Sequence, residues 1–419
     1  MFTLNKMMSR PICNTISAAG YNYEYNSVYN SSDYSSDYSS DYSSDYSSDY
    51  NSDYNSDYSI YGNTCSNITR RFGSQVLALL VMYCTLAVSH HSQAAPVLNL
   101  PEQEKPSLSN IRYEIFDDRA YEVLNTSAPL HTLASGFQWA EGPVWSSAGQ
   151  YLLFSDIPAG KVFQFHPDQG LNEYLPVSGF SNGLVINTSD SEAEQLILLQ
   201  SRSRQVAIMQ ASLDKPKGNY QRVVSQFNGK RLNSPNDGVL SHDGSLLFTD
   251  PPYGLAQQLN DPEKELAFQG VYRLSKQHEL SLIDDSLRYP NGIALAASVP
   301  SSDNTYTLYV AASNPQKPAW YQYTLNTDWQ VIQRQVFHQL PPVKDEGRGL
   351  PDGLKVLPSG DVLATGPDGL WLFDHSGKLL AKVHLPSIAA NLAFNDDYST
   401  VFVTAHQYLY SLDLVKQPQ

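Results

Sequence analysis

The part of the chain after residue 96 is predicted to be all-β, a six-bladed β-propeller, and three observations predict it. Beyond residue 110 there is no sustained helical periodicity. The sequence breaks instead into short runs rich in β-branched and aromatic residues, bounded by Gly, Pro, Asn and Asp. These runs recur in a fixed order six times, at an average spacing of about 50 residues. Each recurrence opens on an Asn, Asp or Glu, usually beside a Gly.

The units follow one another along the chain. The first opens at Glu141-Gly-Pro-Val-Trp145 and closes at Val162-Phe-Gln-Phe165. The second runs from Asn182-Gly-Leu-Val-Ile186 to Gln205-Val-Ala-Ile208, and the third from Asn236-Asp-Gly-Val-Leu240 to Val271-Tyr-Arg-Leu274. The fourth runs from Asn291-Gly-Ile-Ala-Leu295 to Trp320-Tyr-Gln-Tyr323, the fifth from Asp352-Gly-Leu-Lys-Val356 to Leu370-Trp-Leu-Phe373, and the sixth from Asn391-Leu-Ala-Phe394 to Tyr408-Leu-Tyr-Ser411. Six units of roughly four strands make a propeller, which leaves only short, protected sheet edges. A two-sheet sandwich would not explain a polar residue recurring at the head of each unit. The segment from Ile111 to Leu124 precedes the first unit and is expected to supply a strand that closes the ring with the last blade.

The first 95 residues differ in kind. Residues 1–70 are dominated by Ser, Tyr, Asn and Asp, and a four-residue Ser/Asn-Ser-Asp-Tyr unit places Asp at 33, 37, 41, 45, 49, 53 and 57. Such a tract cannot bury enough apolar surface to offset its ordering entropy, so a disordered leader is expected. Residues 71–95 read as a signal peptide: Arg70-Arg71, an apolar run from Val76 to Val88, then small residues ending Ala94-Ala95-Pro96. The run is shorter than the roughly 20 residues a transmembrane helix needs, so a periplasmic or secreted protein without a stable membrane span is expected. Residues 96–419 are then the mature domain. Cys13, Cys65 and Cys84 all precede it, which excludes disulfides and thiolate metal sites there. A formal net charge of −15 without a basic stripe argues against nucleic acid as a partner.

The repeat carries a chemical consequence. In a propeller the first strand of each blade lines the central channel, and the residues heading those strands converge on one axis. Here they are Glu141, Asn182, Asn236, Asn291, Asp352 and Asn391, two carboxylates and four amides. One Asn-Gly or Asp-Gly pair is ordinarily a turn. Six polar residues at matching places form a ring of hard oxygen donors, suited to one divalent metal ion: Ca²⁺ first, with Mg²⁺ or Mn²⁺, and Zn²⁺ where amides take part. Asp237 and Asp250 read chiefly as turn or strand-end hydrogen-bonding residues, and His406 as packed or solvent-bonded. There is no Gly-x-Ser-x-Gly elbow, His-Glu-x-x-His pair, phosphate loop or dinucleotide fingerprint.

The motifs also resemble a known family. Phe137-Gln-Trp-Ala-Glu-Gly-Pro-Val-Trp145 is similar to the first signature of the SMP-30/gluconolactonase/luciferin-regenerating family. Arg231-Leu-Asn-Ser-Pro-Asn-Asp-Gly238 and Leu247-Phe-Thr-Asp-Pro-Pro-Tyr-Gly254 resemble its bacterial gluconolactonase branch, and Tyr289-Pro-Asn-Gly-Ile-Ala294, Leu350-Pro-Asp-Gly-Leu-Lys355 and Asn391-Leu-Ala-Phe394 its later signatures. The resemblance implies that Glu141, Asn291 and Asp352 hold the metal and that Asp352 serves as catalytic acid or base. It implies that Asn236 faces substrate; Arg231, Asn233 and Arg348 are further substrate-binding candidates. The implied reaction is metal-dependent hydrolysis of a sugar lactone. The second unit departs from relatives at Gln200-Ser-Arg-Ser-Arg204, which bears on substrate identity. Two alternatives stand beside this: a hydrolase of another lactone, ester or phosphotriester, and a non-catalytic ligand- or protein-binding propeller with a structural metal.

Overall fold

The computed structural model describes residues 107–109, 111–188, 194–297 and 300–416. The expected leader and export signal lie outside the described residues. The regular structure among those described is almost entirely strand; the helical elements among them are three short 3₁₀ segments, Asp118–Glu122, Gln258–Asn260 and Glu346–Arg348.

Six antiparallel sheets form the blades of a propeller. Blade 1 comprises Ala140–Ser146, Tyr151–Asp156, Lys161–His166 and Gly170–Leu175. Blade 2 comprises Ser181–Asn187, Gln195–Gln200, Gln205–Met209 and Tyr220–Val224. Blade 3 is built from Gly238–Leu240, Leu246–Asp250, Gly270–Leu274 and Leu280–Asp284, and blade 4 from Pro290–Leu295, Thr305–Ala312, Ala319–Asn326 and Val331–Gln339. Blade 5 contains Leu354–Val356, Val362–Gly366, Gly369–Phe373 and Leu379–His384. Blade 6 contains Asn391–Phe394, Thr400–Ala405 and Tyr408–Asp413. The first strand of each blade is innermost, and these strands pack in a closed circle, with Asn391–Phe394 of blade 6 returning to Ala140–Ser146 of blade 1.

The ring closes differently from the expectation for the segment from Ile111 to Leu124. Arg112–Ile115 pairs with Leu379–His384 and becomes a fifth strand of blade 5. The 3₁₀ turn Asp118–Glu122, capped by the Asp117 carboxylate on the Arg119 N–H, then redirects the chain toward blade 6. Closure is made by Leu130–Ser135, which pairs with Tyr408–Asp413 and is itself flanked by Ser107–Ser109. The reason is local. Ala120, Val123 and Leu124 are buried in the seam between blades 5 and 6, so this stretch wedges between the blades instead of extending either one. Leu124 touches blade 6 through an isolated bridge to Leu414.

The core is divided among the seams. Each of the six blade interfaces holds its own apolar cluster. Between blades 1 and 6, Phe137 packs edge-on against Phe154 and Phe163. Between blades 4 and 5, the fully buried Trp320 meets Trp371 and Phe373. Both faces of each sheet are therefore buried, which is why strands such as Tyr-Leu-Leu-Phe read as continuous apolar runs. At about 1.5–3 kcal/mol for each large side chain removed from water, these seams supply the main stabilisation of the ring.

Candidate active site at the channel mouth

The heads of three inner strands are irregular in a way that serves the channel. Register shifts interrupt pairing between Glu141 and Val144, between Ser181 and Leu184, and between Pro290 and Ile293. Such bulges re-aim a side chain, and here they leave Asn182 and Asn291 out of the sheet pairing while Glu141 pairs just before its bulge. The glycines after them solve a packing problem. A Cβ on Gly142 would lie 2.0 Å from the Asn182 carbonyl oxygen, one on Gly292 2.2 Å from that of Asp352, and one on Gly353 2.2 Å from the Asn391 side chain. Of these three, only Gly142 has a left-handed backbone, with φ +56°. The others are required by the close approach of neighbouring blades and not by a turn. Hydroxyls from the second strands satisfy the carbonyls exposed in this crowding: Ser155 donates to Asn182 O at 2.7 Å and Thr249 to Asn291 O at 2.7 Å.

The six head residues meet as one buried polar centre. The Asn182 amide donates to Asn236 Oδ1, Asn236 to Asn291 Oδ1, and Asn291 Nδ2 to Ser313 Oγ at 2.8 Å. Ser313 passes the chain on to Pro351 O at 2.6 Å, next to Asp352. On the other side, Asn391 Nδ2 donates to Asp237 Oδ2 at 3.3 Å, and Glu141 accepts the Gly142 N–H at 2.7 Å. Asp352 Oδ1 and Asn182 Oδ1 are buried without a hydrogen-bond partner.

Three carboxylates share this centre. Burial, then the charge of Asp237, pushes Glu141 above the usual carboxylate range, while the Gly142 N–H, Asn391 and Lys355 pull it back. Burial, then the charges of Glu141 and Asp237, holds Asp352 well above it. A buried centre of carboxylate and amide oxygens, one carboxylate oxygen of it orphaned, fits a hard divalent cation. Glu141, Asn291 and Asp352 could hold one. Among the described residues no group of three or more His, Cys, Asp or Glu is by itself arranged to bind a metal; the donors here mix carboxylate and amide oxygens.

The remaining candidates lie outside the centre. Asn233 is wholly buried, its amide bound to Asp250 O and Phe268 O, each at 3.0 Å. Arg231 is exposed, with its backbone N–H on Glu265 Oε2 at 2.7 Å. The Arg348 guanidinium is spread on the Asp368 carboxylate at the surface. Asp250 is a strand-end residue whose oxygens accept the Asn233 and Ser234 N–H groups, both at 2.7 Å, and Asp156 does the same for Gln138 and Trp139 in blade 1. His406 packs edge-on against Trp139, with ring centroids 5.1 Å apart. Asp237, which the sequence presents as a turn residue, belongs instead to the centre, where it also accepts the Ile293 N–H at 3.3 Å. Lys355 and Ser313 join the centre although the sequence marks neither as a candidate: Lys355 ends the Leu350–Lys355 signature without an assigned role, and no motif points to Ser313. For Lys355 the signal in the sequence is strand alternation: Leu354 faces the core of blade 4, so its neighbour faces blade 6.

Comparison with known proteins agrees with this architecture. The family model for the SMP-30/Gluconolactonase/LRE-like region matches residues 139–407. A gluconolactonase of Zymomonas mobilis is 32% identical over 313 residues, covering 69% of this chain and 82% of the relative. A solved gluconolactonase of Xanthomonas campestris superposes with a TM-score of 0.63 at 27% identity, covering 75% of this chain and 99% of that one. A calcium-binding protein, regucalcin from Agrobacterium tumefaciens, shares the fold at 15% identity, with a TM-score of 0.52 over 68% of this chain and 94% of its own.

Proposed function

The chain belongs to the SMP-30/gluconolactonase/LRE-like family, and from that premise we propose that it hydrolyses a sugar lactone of the gluconolactone type at the channel mouth. The observation that carries the reading is the junction of Glu141, Asn291 and Asp352 in one buried centre where Asp352 Oδ1 has no partner.

Glu141, Asn291 and Asp352 would hold one divalent ion, and Ca²⁺ is the first candidate for so oxygen-rich a donor set. When bound, such an ion supplies positive charge that polarises a carbonyl and makes a nearby water more acidic. The amide chain from Asn182 through Asn236 to Asn291 keeps the donor orientations fixed before substrate arrives. Asn236 lies between the two other amides and is suited to orient the substrate. Asp352 takes the proton of the attacking water at a carboxylate oxygen not engaged with the ion and returns it to the ring oxygen that leaves as an alcohol. Arg231, Asn233 and Arg348 are proposed as secondary contacts, with Arg348 available only if it leaves Asp368.

The deciding experiment is a panel of sugar lactones opened by purified protein before and after chelation, with Glu141→Ala and Asp352→Ala proteins that still fold. Loss of lactone opening on chelation and in both variants supports the reading. Chelation-insensitive opening removes the metal from it, and no opening above background removes the enzyme. Action in the periplasm or outside the cell is proposed from the apolar run at residues 76–88 behind Arg70-Arg71, and cell fractionation tests it.

A further inference from the structure

A cation reaches into the buried centre. Lys355 stands on the inner strand of blade 5, three residues after Asp352, and its Nζ donates to Asn391 Oδ1 at 3.3 Å. That amide oxygen also accepts the Leu392 N–H at 2.9 Å. With both donors on its oxygen, the Asn391 side chain must turn its NH₂ end toward Asp237 Oδ2, 3.3 Å away. A flipped amide would set its NH₂ group against the ammonium. Gly353 keeps the Asn391 side chain in place, because any Cβ there would lie 2.2 Å from it. Lys355 thus acts on Asp237 through the amide it orients, and its charge lies within reach of Glu141.

We propose that Lys355 is an internal counter-cation, a positioning residue that holds Glu141 and Asp237 of the carboxylate cluster in place without metal and competes electrostatically with the metal for the cluster. The inference rests on the divalent-ion reading of the site. The bound ion and the ammonium are drawn to the same carboxylates, and two like charges in one poorly screened cavity weaken each other's binding. The coupling is reciprocal: stability that Lys355 contributes to the metal-free protein is affinity withheld from the metal. Three carboxylates and one ammonium leave a charge of about −2 when all are ionised, which one divalent ion neutralises.

The test is Ca²⁺ titration calorimetry on the full chain, together with melting of chelated and Ca²⁺-saturated protein, for wild type, Lys355→Met, Lys355→Gln and Lys355→Arg. Both neutral variants are expected to bind Ca²⁺ about tenfold more tightly, or about 1.4 kcal/mol. Chelated, they should melt below wild type; saturated with Ca²⁺, they should melt with it. Lys355→Arg should keep wild-type behaviour. A residue that only fills space would lower affinity and stability together when replaced. Equal or weaker Ca²⁺ binding in neutral variants that fold overturns the counter-cation alone. If wild type and neutral variants all fail to bind Ca²⁺, the metal reading falls and the counter-cation falls with it.

Discussion

The side-chain amide of Asn236 donates to the amide oxygen of Asn291 across the seam between blades 3 and 4, with both residues nearly wholly buried. Asn236 also accepts from Asn182, so one side chain ties three blades at the axis. Asn236→Ala removes both bonds and lets the Asn291 amide rotate. Turnover of lactone is expected to fall on the order of 100-fold, as for other losses of fixed geometry near reacting atoms. The melting temperature should shift by only a few degrees. Steady-state kinetics beside a melting curve checks this; an unchanged kcat/KM would show that the amide chain does not orient the site.

Burial, and charge on Glu141, both disfavour a charge on Asp352. Replacing either by its amide removes a buried carboxyl and a proposed metal ligand together. Glu141→Gln and Asp352→Asn are therefore expected to melt higher than wild type in chelator and to lose Ca²⁺ affinity by about 100-fold or more. Calorimetry and thermal melting separate the two effects. A drop in chelated stability would mean that the carboxylates are held by partners stronger than their mutual repulsion.

Gly353 is pressed against the Asn391 side chain. Gly353→Ala forces the inner strands of blades 5 and 6 apart, at a cost of about 1–3 kcal/mol as for other overpacked sites. The expected result is a lower melting temperature together with weaker Ca²⁺ binding. Stability equal to wild type would show that the channel has room the close approach denies.

Asp250 gives a pH signature independent of the metal. Burial pushes its carboxyl up to about 7, against the two N–H bonds and Arg204 that pull it down. The folded protein then retains a proton that the unfolded chain gives up above the ordinary value of 3.8. The associated stability is complete below that value and is lost as pH rises through about 7. Melting temperature should decline over this window in wild type, and Asp250→Asn should flatten the decline whatever its absolute stability. A decline of equal slope in the variant would assign it to other groups.

Much of the architecture is legible in the amino-acid sequence. The six recurring units and their polar heads are written at regular places, because each blade repeats one strand-turn pattern and needs the same kind of residue where its inner strand begins. The ring closure is harder to read. Leu130–Ser135 is a short strand of mixed polarity, with no unit of its own around it, and only its pairing with Tyr408–Asp413 identifies it. Asp237 is hidden for a different reason. An Asn-Asp-Gly run is locally indistinguishable from a turn, yet the contacts of Asp237 come from Asn391, 154 residues away, and from Ile293.

The sequence by itself determined the repeat, the residues heading each inner strand, and an oxygen-donor chemistry free of cysteine. Those properties are local: strand periodicity and residue type do not depend on which blade lies beside which. The tertiary structure decided which donors touch, that Asp352 retains an unpartnered oxygen, and that Lys355 joins the cluster. These depend on the closing of a ring that brings Asn391 between Asp237 and Lys355, and on the burial there that lets each charge act on its neighbours.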